Sequence, residues 1–123
     1  FRMLPDRFLF TGPVTDRDLA AYYRWADVYV SLSEHEGFCV PLVEAMAHRV
    51  PVLARRCAAI PETVGDAGLL VDADAGPELL AEAMAELVTN RALQAEIVTT
   101  KRVADDILSG LERNEFAAEP GGC

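Results

Sequence analysis

Strand-like and helix-like segments alternate along this chain, and that alternation limits the folds open to it. Short runs of β-forming residues predict four strands, at Arg7–Phe10, Val28–Leu32, Val50–Ala54 and Gly68–Val71. Apolar residues at helical spacing predict helices at Asp16–Trp25, from near Pro41 to Ala47, at Glu78–Val88 and from a cap at Asn90 to Leu111, with a short helix or turn at Pro61–Val64. This order predicts an α/β fold, in which a mostly parallel sheet lies between layers of helices.

The first predicted helix has a suitable start and an apolar side. Thr15 can serve as its N-cap, because a threonine hydroxyl accepts a hydrogen bond from a free N–H of the first turn. Leu19 and Tyr23 recur at helical spacing, and we interpret Tyr22, Tyr23 and Trp25 as packing residues of this helix.

Length and charge narrow the class of protein. The 123 residues suffice for one domain with a modest core, and the chain begins at Phe1, so we expect its natural start to lie upstream. The net charge is −9, and the acidic excess lies in residues 61–123, which carry thirteen acidic and four basic side chains. Binding of nucleic acid is disfavoured, since it needs clustered Lys and Arg. The acidic side chains are interpreted as a solvated helix surface.

The three cysteines, Cys39, Cys57 and Cys123, show no metal-ligand spacing. Their odd number argues against a disulfide framework. A reducing cytoplasm is therefore the expected location.

The loop Ser33–Val40 follows a predicted strand and precedes a helix that Pro41 would start. In parallel sheets, ligands bind beyond the carboxyl ends of the strands. The N–H groups of the loop and of the helix start can bind a phosphate or diphosphate, and Gly37 permits close approach. Glu36 and Glu44 can each accept hydrogen bonds from sugar hydroxyls. The same residues also fit a purely structural interpretation, with Gly37 in a turn and Glu44 complementing the helix dipole.

The run Ser33–Ala47 contains two glutamates eight positions apart, followed by Ala-Met-Ala. It resembles the signature of glycosyltransferase family 4, the group 1 enzymes. Phe10-Thr11-Gly12, Val50-Pro51-Val52, Ile60-Pro61-Glu62 and Gly65–Val71 resemble further elements of that family in the same order. The resemblance implies a Rossmann-like domain, the incomplete C-terminal half of a GT-B fold, spanning residues 1–111. Residues 112–123 are predicted to form a disordered tail.

The resemblance also implies a function, that of a retaining glycosyltransferase which transfers a hexose. The expected donor is a UDP-, GDP- or ADP-sugar, bound without a cofactor or metal. Expected partners are the nucleotide-sugar and a missing acceptor-binding domain, and membrane contact would be peripheral and through that missing half. The alternative is a truncated, non-catalytic module that binds a nucleotide-sugar or self-associates.

Site roles carried over from the family fall on one segment. Glu36 is the expected catalytic residue, which contacts and places the transferred sugar. Glu44 is expected to bind the ribose hydroxyls of the donor. Backbone amides complete the expected donor site, with those of Gly37, Phe38, Cys39 and Val40 near the sugar and those of Leu42 and Val43 near the diphosphate.

Three places depart from the family pattern, because residues with side chains stand where glycine is usual. They are Cys39, Arg49 and the pair Ala58-Ala59. If Arg49 takes a left-handed conformation, its Cβ costs on the order of 1 kcal/mol. Of the smaller signals, Asp72-Ala73-Asp74 is interpreted as a turn. Arg55 and Arg56 end a strand on the ligand side of the sheet, where they can contact a phosphate, but we favour their interpretation as a solvated pair.

Overall fold

The computed structural model describes residues 7–34 and 39–99. Within them the helices are α1 (Asp16–Trp25), α2 (Val40–Ala47), α3 (Ile60–Val64), α4 (Pro77–Thr89) and α5 (Arg91–Thr99). The strands are β1 (Tyr29–Ser31), β2 (Val52–Arg55) and β3 (Gly68–Val71). From α1 to α4 the chain therefore alternates helix and strand as its sequence predicts, with boundaries that move by at most two residues.

The three strands form a parallel sheet in the order β1-β2-β3. Leu53 of β2 pairs with Val30 and Leu69, and all three pack in the cluster that contains Leu80 and Leu87 of α4. The strand residues that alternate with these three pack in a second cluster on the other face of the sheet, formed largely by α1, α2 and α3. Successive strand residues thus point to opposite faces, and helices cover both. The α/β fold with a mostly parallel sheet is confirmed.

Helix α2 ends in a Schellman motif. The Arg49 N–H donates to the Met46 carbonyl (2.9 Å) and the Val50 N–H donates to the Ala45 carbonyl (2.9 Å). Arg49 itself has φ 60°, which is the left-handed conformation in which glycine is favoured. The steric penalty foreseen for an arginine at this position therefore applies.

Gly68 begins β3 where the backbone passes close to its neighbours. A Cβ at this position would lie 2.7 Å from Val64 Cγ1 and 3.1 Å from the Val52 carbonyl oxygen. Only a residue without a side chain allows α3, β2 and β3 to pack this tightly.

The predicted strand Arg7–Phe10 is wrong. Phe8, Leu9 and Phe10 are exposed, Phe10 by 81%, and they belong to no strand of the described residues. A strand needs a neighbouring strand to complete its hydrogen bonds, and β1 pairs with β2 instead.

The prediction that Trp25 is a packing residue is also wrong, since this side chain is 86% exposed. Tyr23 is buried, and Trp25 lies two residues further along α1, about 200° around the helix axis. The side of α1 that meets the core therefore carries Leu19 and Tyr23, while Tyr22 is 44% exposed.

Asn90 caps α5 as predicted, because its Oδ1 accepts a hydrogen bond from the Leu93 N–H (3.0 Å). The predicted extension of this helix to Leu111 and the tail 112–123 lie outside the described residues. None of the helices in the described ranges is both long and apolar enough to cross a membrane.

Candidate functional site

The carboxyl ends of β1, β2 and β3 lie at one edge of the sheet, and the candidate site is there. The loop after β1 carries Glu34, and α2 begins at the same edge with its N-cap Cys39. Glu36, Gly37 and Phe38 lie outside the described residues. Of the predicted site, the structure therefore places the segment from Cys39 to Glu44.

The start of α2 is shaped by an unusual N-cap. Cys39 has φ 55° and ψ 70°, a left-handed conformation, and its side chain caps no N–H. Its carbonyl accepts hydrogen bonds from the N–H groups of Leu42 (3.1 Å) and Val43 (3.5 Å). Both residues are fully buried, so in this conformation these two N–H groups are hydrogen-bonded and shielded from solvent.

Val40 is 45% exposed, in contrast to the buried Cys39, Leu42 and Val43. Its N–H takes part in no hydrogen bond among the described residues. The first turn of α2 also contains no acidic side chain. The positive end of the helix dipole is thus uncompensated by a carboxylate within that turn, an arrangement that favours an anion.

Glu44 is held by a side chain from another helix. The Tyr23 hydroxyl lies 3.1 Å from Glu44 Oε2 and 3.0 Å from the Pro41 carbonyl oxygen, and it can donate to either. The Tyr23 ring stacks on His48, with centroids 5.3 Å apart and planes at 11°. Sequence interpretation placed Tyr23 on the packing side of α1 but gave no sign of its contact with Glu44, twenty-one positions away.

A small cleft of about 130 Å³ opens beside this cluster. It is lined by residues of α1 and α2 and by the C-cap of α2, namely Asp16, Leu19, Ala20, Tyr23, Glu44 and His48. Sites for whole ligands of drug size usually have about 300 Å³ or more. The described cleft can therefore hold only part of a nucleotide, such as one sugar ring.

The environment of Tyr23 raises the pKa of its phenol above the ordinary value. Burial is the main cause, and the hydrogen bond to Glu44 and the negative charge of that carboxylate add to it. A carboxylate beside the ring disfavours a second negative charge. Tyr23 is therefore a neutral hydrogen-bond donor at physiological pH.

Arg55 joins two loops at the carboxyl edge of the sheet. Its Nη1 donates to Glu34 Oε1 (2.9 Å) after β1 and to the Ala73 carbonyl (3.0 Å) after β3. Its side chain is only 18% exposed, against 61% for Glu34, and its Nε is buried without a hydrogen-bond partner. The interpretation of Arg55 as a solvated residue is therefore wrong. This side chain connects the loop after β1 to the loop after β3.

Arg56 behaves as predicted for a solvated residue. Its Nε lies 3.8 Å from Asp72 Oδ1, and both side chains are more than half exposed. The Ala75 N–H donates to the Asp72 carbonyl (3.0 Å), so Asp72-Ala73-Asp74 forms the predicted turn.

Left-handed backbone occurs at each place where the sequence departs from the glycine pattern. Among the described residues other than glycine, positive φ is found at Cys39 (55°), Arg49 (60°) and Ala58 (49°). Ala59, the partner of Ala58, has an ordinary φ of −83°. Cys39 and Ala58 follow β1 and β2, so two of the three positions adjoin the candidate site.

Comparison with known proteins identifies relatives. The model of the family described as "Glycosyl transferases group 1" matches residues 2–90. O-antigen chain mannosyltransferase B of Escherichia coli is 44% identical over 63 residues, which are 51% of this chain and 16% of that protein. A GDP-mannose-dependent alpha-mannosyltransferase of Mycolicibacterium smegmatis is 39% identical over 85 residues, 68% of this chain and 23% of its own length. The chain thus spans under a quarter of the length of either relative.

Solved structures show the same fold. Sucrose-phosphate synthase from Thermosynechococcus elongatus matches with a TM-score of 0.71 and 30% identity, over 94% of this chain and 32% of that one. The C-terminal domain of a glycosyl transferase group 1 family protein from Francisella tularensis matches with a TM-score of 0.64 and 26% identity, over 85% of this chain and 52% of that domain. The chain is a partial GT-B domain and belongs to the group 1 glycosyltransferases.

Proposed function

We propose that this chain binds a nucleotide-diphosphate sugar at the start of α2 and forms the donor-binding part of a retaining hexosyltransferase. The observation that carries the proposal is the position of Glu44. Its carboxylate is held about one turn inside a helix whose N-terminus has no acidic side chain in its first turn. A diphosphate at the helix start and a ribose beside Glu44 would each meet a group of complementary chemistry.

The proposed roles extend along the segment. Glu44 accepts hydrogen bonds from the ribose hydroxyls, and Glu36 contacts and places the transferred sugar. The amides of Gly37, Phe38, Cys39 and Val40 hold the sugar.

Leu42 and Val43 act on the diphosphate in a more limited way. Their N–H groups are bonded to the Cys39 carbonyl and buried, so they act on the diphosphate through the helix dipole. They would bind it directly only if the first turn opened.

Charge at the described edge suggests weak binding by the isolated chain. Arg55 is bonded to Glu34 and Ala73, and Arg56 lies near Asp72. Neither guanidinium is free of an acidic partner, and cations usually supply a large part of diphosphate recognition. We therefore expect dissociation constants of the isolated chain for nucleoside diphosphates in the millimolar range.

The names of the relatives guide the choice of base. One relative is a GDP-mannose-dependent alpha-mannosyltransferase and another is an O-antigen chain mannosyltransferase. GDP is therefore the first ligand to test, with UDP and ADP beside it, and no added metal is expected to be needed.

The test compares two glutamates by titration calorimetry. Hydrogen bonds to a charged group contribute about 1.5–3 kcal/mol, so Glu44→Gln should weaken GDP binding by about tenfold or more. Glu82→Gln, on the exposed side of α4, makes the same change in charge and should leave binding unaltered. Equal affinities of the two variants, or no binding by the unmodified chain at millimolar nucleotide, would contradict the proposal.

A second candidate is a self-associating module, favoured by exposed apolar side chains. Phe8, Leu9, Phe10 and Trp25 are each more than half exposed. Such groups on a soluble domain often mark an interface. Sedimentation velocity over a wide concentration range decides the point, because a chain that stays monomeric throughout does not use these residues for self-association.

A further inference from the structure

The Tyr23 hydroxyl contacts two groups of α2 at the proposed donor site. It reaches the carboxylate of Glu44 and the carbonyl of Pro41, which lies in the first turn of α2. We infer that Tyr23 is a positioning residue, which fixes Glu44 for recognition of the donor ribose. The inference rests on the proposed function and adds to it a residue from a different helix.

The geometry fixes the hydroxyl before any ligand arrives. Tyr23 is 7% exposed, and its ring contacts two other rings, with centroid distances of 5.3 Å to His48 and 6.2 Å to Tyr29. The hydroxyl has one proton and two acceptors within 3.1 Å, so it alternates between Glu44 and Pro41 or is shared by them. Glu44 is thereby tied to the start of its own helix through a rigid side chain of α1.

Only one oxygen of the carboxylate is engaged. Tyr23 donates to Oε2, and Glu44 makes no other side-chain hydrogen bond among the described residues. Oε1 remains available to a ligand, and each carboxylate oxygen can accept more than one hydrogen bond. Tyr23 can therefore hold the group without competing for all of its acceptor capacity.

The expected benefit is preorganisation. A glutamate side chain has several rotamers, and a ligand that must immobilise it binds less tightly than one that meets it already in place. The neutral phenol is well suited to this role, because burial and the adjacent carboxylate raise its pKa and keep it a donor. Loss of the hydroxyl should weaken binding through Glu44 by about 3–10-fold, within the range of one hydrogen bond.

The chain offers a matched control. Tyr23→Phe removes one oxygen and keeps the ring that stacks on His48. Tyr22→Phe makes the same change on the neighbouring residue, which is 44% exposed and whose hydroxyl makes no hydrogen bond among the described residues.

The test measures discrimination for the ribose rather than affinity alone. Dissociation constants of GDP and of 2′,3′-dideoxy-GDP are measured for the unmodified chain, for both tyrosine variants and for Glu44→Gln. We expect the unmodified chain and Tyr22→Phe to prefer GDP by the same factor, Tyr23→Phe to lose about 3–10-fold of that preference, and Glu44→Gln to abolish it. If Tyr23→Phe weakens both nucleotides equally, Tyr23 is only structural and the inference is overturned.

Failure of the inference can be told from failure of the proposed function. If the unmodified chain and Glu44→Gln bind both nucleotides alike, Glu44 does not recognise ribose, and both proposals fall. If Glu44→Gln loses the preference and Tyr23→Phe keeps it, only the role of Tyr23 falls.

A measurement without ligand tests the contact itself. The carboxyl carbon-13 signal of Glu44 should move in Tyr23→Phe and stay in place in Tyr22→Phe. An unmoved signal in Tyr23→Phe would also overturn the inference.

Discussion

Ala58 provides a sensitive test of the backbone, because it has φ 49° next to an alanine with ordinary angles. In the left-handed region the Cβ of an L-residue costs roughly 1–2 kcal/mol. Glycine escapes that cost but has more conformational freedom in the unfolded chain, which lowers stability by about 0.4–1 kcal/mol. The difference predicts that Ala58→Gly stabilises the folded chain by about 0.5–1 kcal/mol.

Ala59→Gly is the matched control. Ala59 has φ −83° and ψ −3°, which alanine adopts without strain. Like Ala58, it is partly buried. The same substitution there gains nothing in the folded state and should destabilise the chain by about 0.4–1 kcal/mol.

Urea unfolding followed by circular dichroism measures both changes, and thermal unfolding checks their sign. A difference of 1 kcal/mol corresponds to about 4 °C in a domain of this size, so Ala58→Gly should raise Tm by about 2–4 °C. Equal destabilisation of the two variants would contradict this prediction, because the penalty assigned to positive φ would then be absent.

Two further pairs of variants and one pH profile test other contacts of the fold. Gly68→Ala should destabilise the chain by about 1–3 kcal/mol in urea unfolding, because the new Cβ would lie 2.7–3.2 Å from neighbouring atoms. Gly76→Ala should be close to neutral, because its Cβ would meet only a flexible glutamate side chain at 3.3 Å. By the same assay, Arg55→Ala should lower stability by about 1–2 kcal/mol and Arg56→Ala by less than about 0.5 kcal/mol. Of the two, only Arg55 is largely buried and bonded to two loops, so equal losses of stability would contradict its assigned role in connecting them. The raised pKa of Tyr23 contributes stability that is complete below pH 10.0, its ordinary pKa, and is lost as pH rises through the raised value. Tyr23→Phe should therefore flatten the fall in stability above pH 10.0. An unchanged slope would contradict the environment assigned to Tyr23.

The fold was predictable from sequence because its signals are local. Thr15 and Asn90 are strong helix caps, and each is found in that role. The alternation of strand and helix is also local, and it led to the parallel sheet.

The predicted strand Arg7–Phe10 failed because strand formation depends on a partner elsewhere in the chain. Its residues have the composition of a strand, but no described strand pairs with them.

The candidate site was predictable only in part. The segment around Glu44 is contiguous, so its motif is visible in the sequence. The position of Arg49 directly after a helix likewise predicts its strained left-handed backbone. The contacts of Tyr23 with Glu44 and of Arg55 with Glu34 join residues twenty-one positions apart. Such contacts follow from the packing of α1 on α2 and from strand order, which local pattern does not encode.

The segment from Glu36 to Glu44 is proposed to bind a nucleoside diphosphate. Its most direct test is to follow the backbone amide signals of the isotopically labelled chain by NMR during titration with GDP and with UDP. We expect the signals of residues 36–44 to move in a saturable way while those of α4 stay in place. No movement in that segment at millimolar nucleotide, or movement centred on α4, would contradict it.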